Sequence, residues 1–353
     1  MNLAEAQLSE GAWEWMKLRR IAARQMDKCA SLIPVTLMDG NIDAVNELRV
    51  TTRRMEQILD LLYSKRRPKR IRKLAERLRD YRHVLGSLRD DDALLALVEE
   101  ARNQKSNAHM EAWGAVKGFL EARRAHNAPR IIEKCSGINL MSSYGKLKDK
   151  WIKDGQLCQG EEDSGHSASL QGERADRVCR GITRSLDRRW GAFEDAVRKS
   201  GLHPGERTIH RMRIAAKRFR YLTESLDKLH IAGSAETEAW LHTLQQVVGR
   251  WHDRELLGHA MTELLAKHGF GRDQPGLRDA VKQLVVHNRQ VKAGLERKFA
   301  EMSKKSLPYR KTGVWVAKTI ADNKSSKKKA RKHVSKPNHV QTGQLIHSTT
   351  ERM

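Results

Sequence analysis

Along most of the chain, apolar residues recur three and four positions apart, the spacing that collects them on one side of an α-helix. The clearest stripe lies between Ile209 and Leu229, where Met212, Ala216, Phe219, Leu222, Thr223, Leu226 and Leu229 share a face. Opposite them stand His210, Arg213, Lys217, Arg220 and Tyr221, a row of donors about one turn apart on a rigid rod. Residues 41–62 repeat the layout: Val45, Leu48, Thr52, Met55, Leu59 and Leu62 face inward, with Arg49 and Arg53 on the other side. Further helices are predicted over residues 11–32, 69–85, 107–124, 129–151, 174–199, 235–248 with a continuation over 256–268, and 277–302. The first carries Trp13, Met16, Leu18, Ile21 and Met26, the second Leu74, Leu78, Tyr81 and Leu85. Asn41 has the side chain of an N-cap, Arg66-Arg67-Pro68 ends one helix and Gly86 interrupts another.

The two basic rows are related. Placing Arg49 on Arg213 puts Arg53 on Lys217, Arg54 on Arg218 and Val45 on Ile209, a shift of 164 residues. The same register brings Leu85 to Asp90 near Val248 to Asp253. This reads as one unit present twice. The predicted fold is all-α, with the two copies packed about a pseudo-twofold axis so that their basic rows wall one central groove. The halves span residues 1–155 and 174–302, joined by a Gly- and Ser-rich linker over 156–173. A Lys/Arg-rich tail over 303–353 has little to bury and is expected to be disordered.

Composition narrows the partner. Lys and Arg number 68 against 43 Asp and Glu, a net charge of +25, which calls for a polyanion: nucleic acid, inorganic polyphosphate or an acidic membrane surface. Charge alone does not choose among them. No apolar run approaches membrane-spanning length and no export signal is seen, so a soluble, cytoplasmic protein is expected. Cys29, Cys135, Cys158 and Cys179 form no CxxC pair and suit a reducing compartment. The spacing of Cys158, His166 and Cys179 matches no zinc pattern, and no metal or cofactor is predicted. Asp90-Asp91-Asp92, just before an apolar helical run, reads as a cap and charge match for a helix N-terminus rather than a metal cluster; Asp253 takes the equivalent place in the second copy.

The motifs themselves resemble a known family. His210-Arg211-Met212-Arg213-Ile214-Ala215-Ala216-Lys217-Arg218-Phe219-Arg220-Tyr221 with Glu224, followed by Leu244 to Gly249 and Asp253, is similar to the second-half signatures of the CHAD family, the conserved histidine α-helical domain. Val45 to Arg54 and Leu85 to Asp92 resemble the first-half signatures, and the likeness runs over about residues 10–302. It implies paired four-helix bundles facing each other across a basic channel that binds inorganic polyphosphate, with association to polyphosphate granules. The family's basic positions fall on Arg49, Arg53, Arg54, Arg89, His210, Arg213, Lys217, Arg218 and Arg220. Arg82, a polar position of the 69–85 helix, and Tyr221, closing the second row, complete the candidate set. Two departures stand out: Asn46 replaces the first-half histidine, and Glu56 occupies a place where a third arginine is common and would repel phosphate.

The residue chemistry agrees. A file of cations on a stiff helix meets successive phosphates without reading bases, and arginine's planar fork pairs two oxygens at once. Nucleic acid usually requires aromatic platforms as well, and Tyr221 is the only aromatic on the row. The expected function is therefore non-catalytic polyphosphate binding. Nucleic-acid binding through groove and tail is the first alternative, and a role in polyphosphate or triphosphate metabolism the second. The Glu-x-Glu-x-Lys signature of triphosphate tunnel enzymes is absent, because Glu236-Thr237-Glu238 continues as Ala239-Trp240, and no phosphate-cradling glycine loop or nucleophile elbow appears. Oligomeric state is not legible.

Overall fold

A computed structural model describes residues 3–63, 67–103, 109–159, 165–203, 205–227 and 235–304, with a further stretch between 308 and 321. Side chains before residue 17 and over 152–179 lie outside the described set, and so do Leu229 and nearly all of the basic tail. The described residues form an all-helical fold: α1 (Leu3–Asp39), α2 (Ile42–Leu62), α3 (Lys69–Val84), α4 (Gly86–Arg102), α5 (Met110–Ser136), α6 (Leu140–Gln159), α7 (Gly165–Leu202), α8 (Glu206–Asp227), α9 (Ala235–Ala266) and α10 (Pro275–Lys304).

The inward stripes are where the spacing puts them. Val45, Leu48, Thr52, Met55, Leu59 and Leu62 of α2 are all buried, as are Met212, Ala216, Phe219, Leu222, Thr223 and Leu226 of α8. Asn41 caps α2, its Oδ1 accepting from the Ala44 backbone N–H at 3.0 Å. Gly40 before it takes φ +65°, a left-handed turn open to glycine at no steric cost.

The apolar interior comes in two clusters. The larger draws on α1, α2, α3, α6, α7, α8 and the start of α9, so residues from before and after the expected linker share one core. Its centre is an aromatic nest in which Trp190 lies 5.7 Å from Phe193 and 5.3 Å from Phe219, while Phe193 meets Trp240 edge-on at 6.1 Å. The smaller cluster joins α4 and the start of α5 to the second half of α9 and α10. Long helices thus serve both clusters, which ties the cavity walls described below to a rigid frame.

Several sequence expectations change. Asp90-Asp91-Asp92 caps nothing, because α4 already begins at Gly86. Asp91 and Asp92 are buried partners of α5 arginines instead: Asp91 with Arg123 at 2.5 Å, Asp92 with Arg124 at 2.5 Å. Arg124 also donates to the Gly40 carbonyl at 2.9 Å, locking the α1–α2 turn. Gly249 does not interrupt the second copy, and Asp253 lies inside the continuous α9. The expected hinge over 156–173 is helical up to Gln159 and again from Gly165. The start of the tail departs from the expected disorder: residues 310–318 are helical, Thr312 and Val316 are buried, and Gly313 packs so closely on Trp190 that an added Cβ would sit 3.1 Å from the ring.

Candidate functional site

The two basic rows meet because the apolar faces of α2 and α8 enter the same core. Each helix turns its charged side toward a cavity of about 1210 Å³. From α2 it receives Asn46, Arg49, Arg53, Glu56 and Asp60, and from α8 Arg211, Arg213, Lys217, Arg218 and Tyr221. Arg82 of α3, Arg89 and Asp90 of α4, and His252 of α9 also line it.

Each cation is held by a distinct device. Arg49 donates from Nη1 to the Arg82 carbonyl, one of the carbonyls left over at the C-terminus of α3, and so binds where the helix dipole is negative. Arg53 lies over the Tyr221 ring with its guanidinium carbon 5.2 Å from the centroid, and donates to the Tyr221 hydroxyl at 3.1 Å. Arg89 reaches Asp90 at 3.3 Å and Asp253 at 3.4 Å, which spans α4 and α9. Lys217 lines the cavity among these groups, and the strongest charges acting on it are positive: Arg53, Arg213, Arg89 and Arg49.

Such crowding favours neutral forms. Burial first, then the four arginines, pushes the Lys217 amine down to about 6. Burial, together with its arginine neighbours, lowers Arg49 to about 10. Burial and then Arg213 push His252 to about 3, and the same pair of causes lowers His210, whose ring lies 5.6 Å from that of His252. A cavity lined this way suits a polyanion long enough to meet several of the cations at once, which would return them toward their charged forms.

Of the predicted set, Arg49, Arg53, Arg82, Arg89, Arg213, Lys217, Arg218 and Tyr221 line the cavity. Three do not. Arg54 and Arg220 are both turned to Glu224, at 3.4 Å each. His210 stands behind His252 and reaches the site through that ring. Glu56 does line the cavity, yet it is paired with Arg82 and lies 3.9 Å from Arg79, so its negative charge is already matched. Asp60 is likewise tied to Arg67 and to the buried Arg189, the latter at 2.6 Å.

The cavity also recruits Arg67, Arg79, Arg188, Arg189, Lys199 and His252, which sequence reading did not select. Arg189 sits between the core residues Leu186 and Trp190, so helical spacing marks it as flanking the core. Its role depends on Asp60, 129 positions away. His252 had a local signal, being next to the aligned Asp253.

Fold and cavity together define an all-helical protein built around an arginine-lined chamber between two long helices. The chain belongs to the CHAD domain family, whose model matches residues 20–262. Among solved structures it is similar to PptA from Streptomyces chartreusis, at 14% identity and TM-score 0.54, covering 84% of this chain and 99% of that one. It is also similar to the CHAD domain of the plant Ricinus communis, at 17% identity and TM-score 0.49, covering 87% and 93%. No curated protein sequence matches the chain. No helix among the described residues is long and apolar enough to cross a membrane.

Proposed function

We propose that the protein binds inorganic polyphosphate in the cavity between α2 and α8 and does not turn it over. The family is one associated with polyphosphate and triphosphate binding, and one observation carries the reading to this chain. Arg53, Arg213 and Lys217 converge on one space, and the strongest charges acting on the amine are positive. A polymer with one negative charge per unit at short spacing satisfies several such cations at once. Each charge-assisted hydrogen bond contributes about 1.5–3 kcal/mol, so a few of them give tight, salt-sensitive binding.

Two features favour polyphosphate over nucleic acid. Tyr221 is 3% exposed, with the guanidiniums of Arg53 and Arg220 both against its ring, so it offers no open face for a base to stack on. The cavity is a chamber rather than a convex ridge for a duplex groove. Binding without turnover is supported by the carboxylates lining it: among the described residues Glu56, Asp60, Asp90 and Asp195 are each paired with arginine or lysine and do not cluster as a metal site would require. Association with polyphosphate granules in the cytoplasm follows as the setting for such a binder.

Competition tests the reading. Duplex DNA at equal phosphate concentration should fail to displace long-chain polyphosphate from the purified protein. Displacement by DNA, or phosphate release from the polymer with added divalent metal, would overturn it.

A further inference from the structure

Lys217 differs in its surroundings from the salt-bridged lysines among the described residues. Its amine opens into the cavity and is flanked by Arg213 one turn back on α8, by Arg49 and Arg53 across on α2, and by Arg89 on α4. The carboxylates nearest this group of cations, Asp90 and Asp253, are both engaged with Arg89. Other titratable groups lining the same cavity are the Tyr221 hydroxyl, which accepts from Arg53, the His252 imidazole, Arg211 and Arg218 of α8, and Glu56 and Asp60, which are paired with Arg82 and Arg189. Several other described lysines have acidic partners: Lys28 pairs with Glu47, Lys199 with Asp195, Lys292 with Glu255 and Lys311 with Glu236.

An amine held this way has two properties that rarely coincide. Without a polyanion bound, burial and then the surrounding cations oppose protonation, so its lone pair is more available near neutral pH than that of an ordinary lysine. It is also surrounded by arginine forks suited to a phosphoryl group. An ordinary surface lysine has neither property.

We propose that Lys217 is a covalent capture site for small phosphorylated aldehydes within this anion-binding cavity. The phosphate rests on Arg53 and Arg213, and the carbonyl carbon is presented to Nζ. The Nζ lone pair attacks that carbon, a proton passes from nitrogen to the carbonyl oxygen, and water leaves to give an imine. The step is a reversible condensation with no change in oxidation state. It rests on the anion-binding reading of the cavity but not on which polyanion is the natural ligand.

Pyridoxal 5′-phosphate is the probe, added to the full-length protein near pH 7.5, with borohydride to fix the imine and peptide mapping to locate it. Lys217 is expected to label first and to one equivalent, ahead of Lys28, Lys199 and Lys311. Pyridoxal without the phosphate should label it about tenfold less readily or worse, the loss of one charge-assisted contact. Long-chain polyphosphate should protect it, and Lys217→Arg should lose the label while keeping its helical circular dichroism. Label spread over exposed lysines with Lys217 untouched, or labelling of Lys217 by pyridoxal and its phosphate alike, would overturn the proposal. Labelling at Lys217 without protection by polyphosphate would leave the capture site standing and count against polyphosphate as the cavity's ligand. Protection of the protein by polyphosphate binding, with an unreactive Lys217, would do the reverse.

Discussion

Arg213 and Lys217, one turn apart on α8, face the arginines of α2, and their proximity is tolerated in the free protein only at a cost in charge. The Lys217 amine lies at about 6 when folded, against 10.5 ordinarily. Between those values the unfolded chain binds more protons, so stability of the ligand-free protein rises with pH across that window and is lowest below about pH 6. Lys217→Met removes the penalty. It should raise the melting temperature relative to wild type, by a margin that is largest below pH 6 and shrinks toward pH 10, and it should weaken polyphosphate binding. A polyanion reverses the shift, so binding at pH 7.5 should take up protons. Isothermal titration in two buffers of different ionisation enthalpy measures this, and affinity should fall as pH rises above 6. Equal heats in both buffers would show that Lys217 does not change charge. The two cationic rows were legible residue by residue, from spacing and from the register of Arg49 on Arg213. What could not be read was which cations are already partnered: Arg54 and Arg220 sit in the same motif as Arg53 and Lys217, but Glu224 turns them away from the cavity.

At the scale of elements, helix count and inward faces follow from the three–four spacing, and their ends are where local reading fails. Asp91 and Asp92 look like capping residues because short-range rules favour carboxylates at helix starts. Their function is set by Arg123 and Arg124, 32 positions further on. Removing one member of such a pair leaves an uncompensated buried charge, so Arg124→Met should destabilise the fold by about 3 kcal/mol, measured by urea unfolding, with polyphosphate affinity retained. The residue 310–318 segment is a second case. Its Lys and Arg content suggested solvent, but Thr312, Gly313 and Val316 seat it against Trp190 and α9. Ending the chain after Lys304 should lower the melting temperature by a few degrees without affecting helices α2 and α8, whereas an unchanged melting temperature would mean the contact contributes nothing. Gly313→Leu, which drives a side chain into the Trp190 ring, should have the same effect as the truncation.

At the scale of the molecule, the shared core of α1, α2, α7 and α8 is what brings the two basic rows to one cavity. A net charge of +25 draws any polyanion to the surface, so affinity at low salt says little about the cavity. The discriminating quantity is how affinity responds to salt when cavity cations alone are removed. The decisive measurement is polyphosphate binding across a salt series for wild type and for Arg213→Ala/Lys217→Ala. The double variant should bind about 100-fold more weakly, with the slope of log affinity against log salt flattened by about 1–2, and with its helical signal intact. Equal affinity and equal slope for the two proteins would place the polymer elsewhere on the surface and contradict the account.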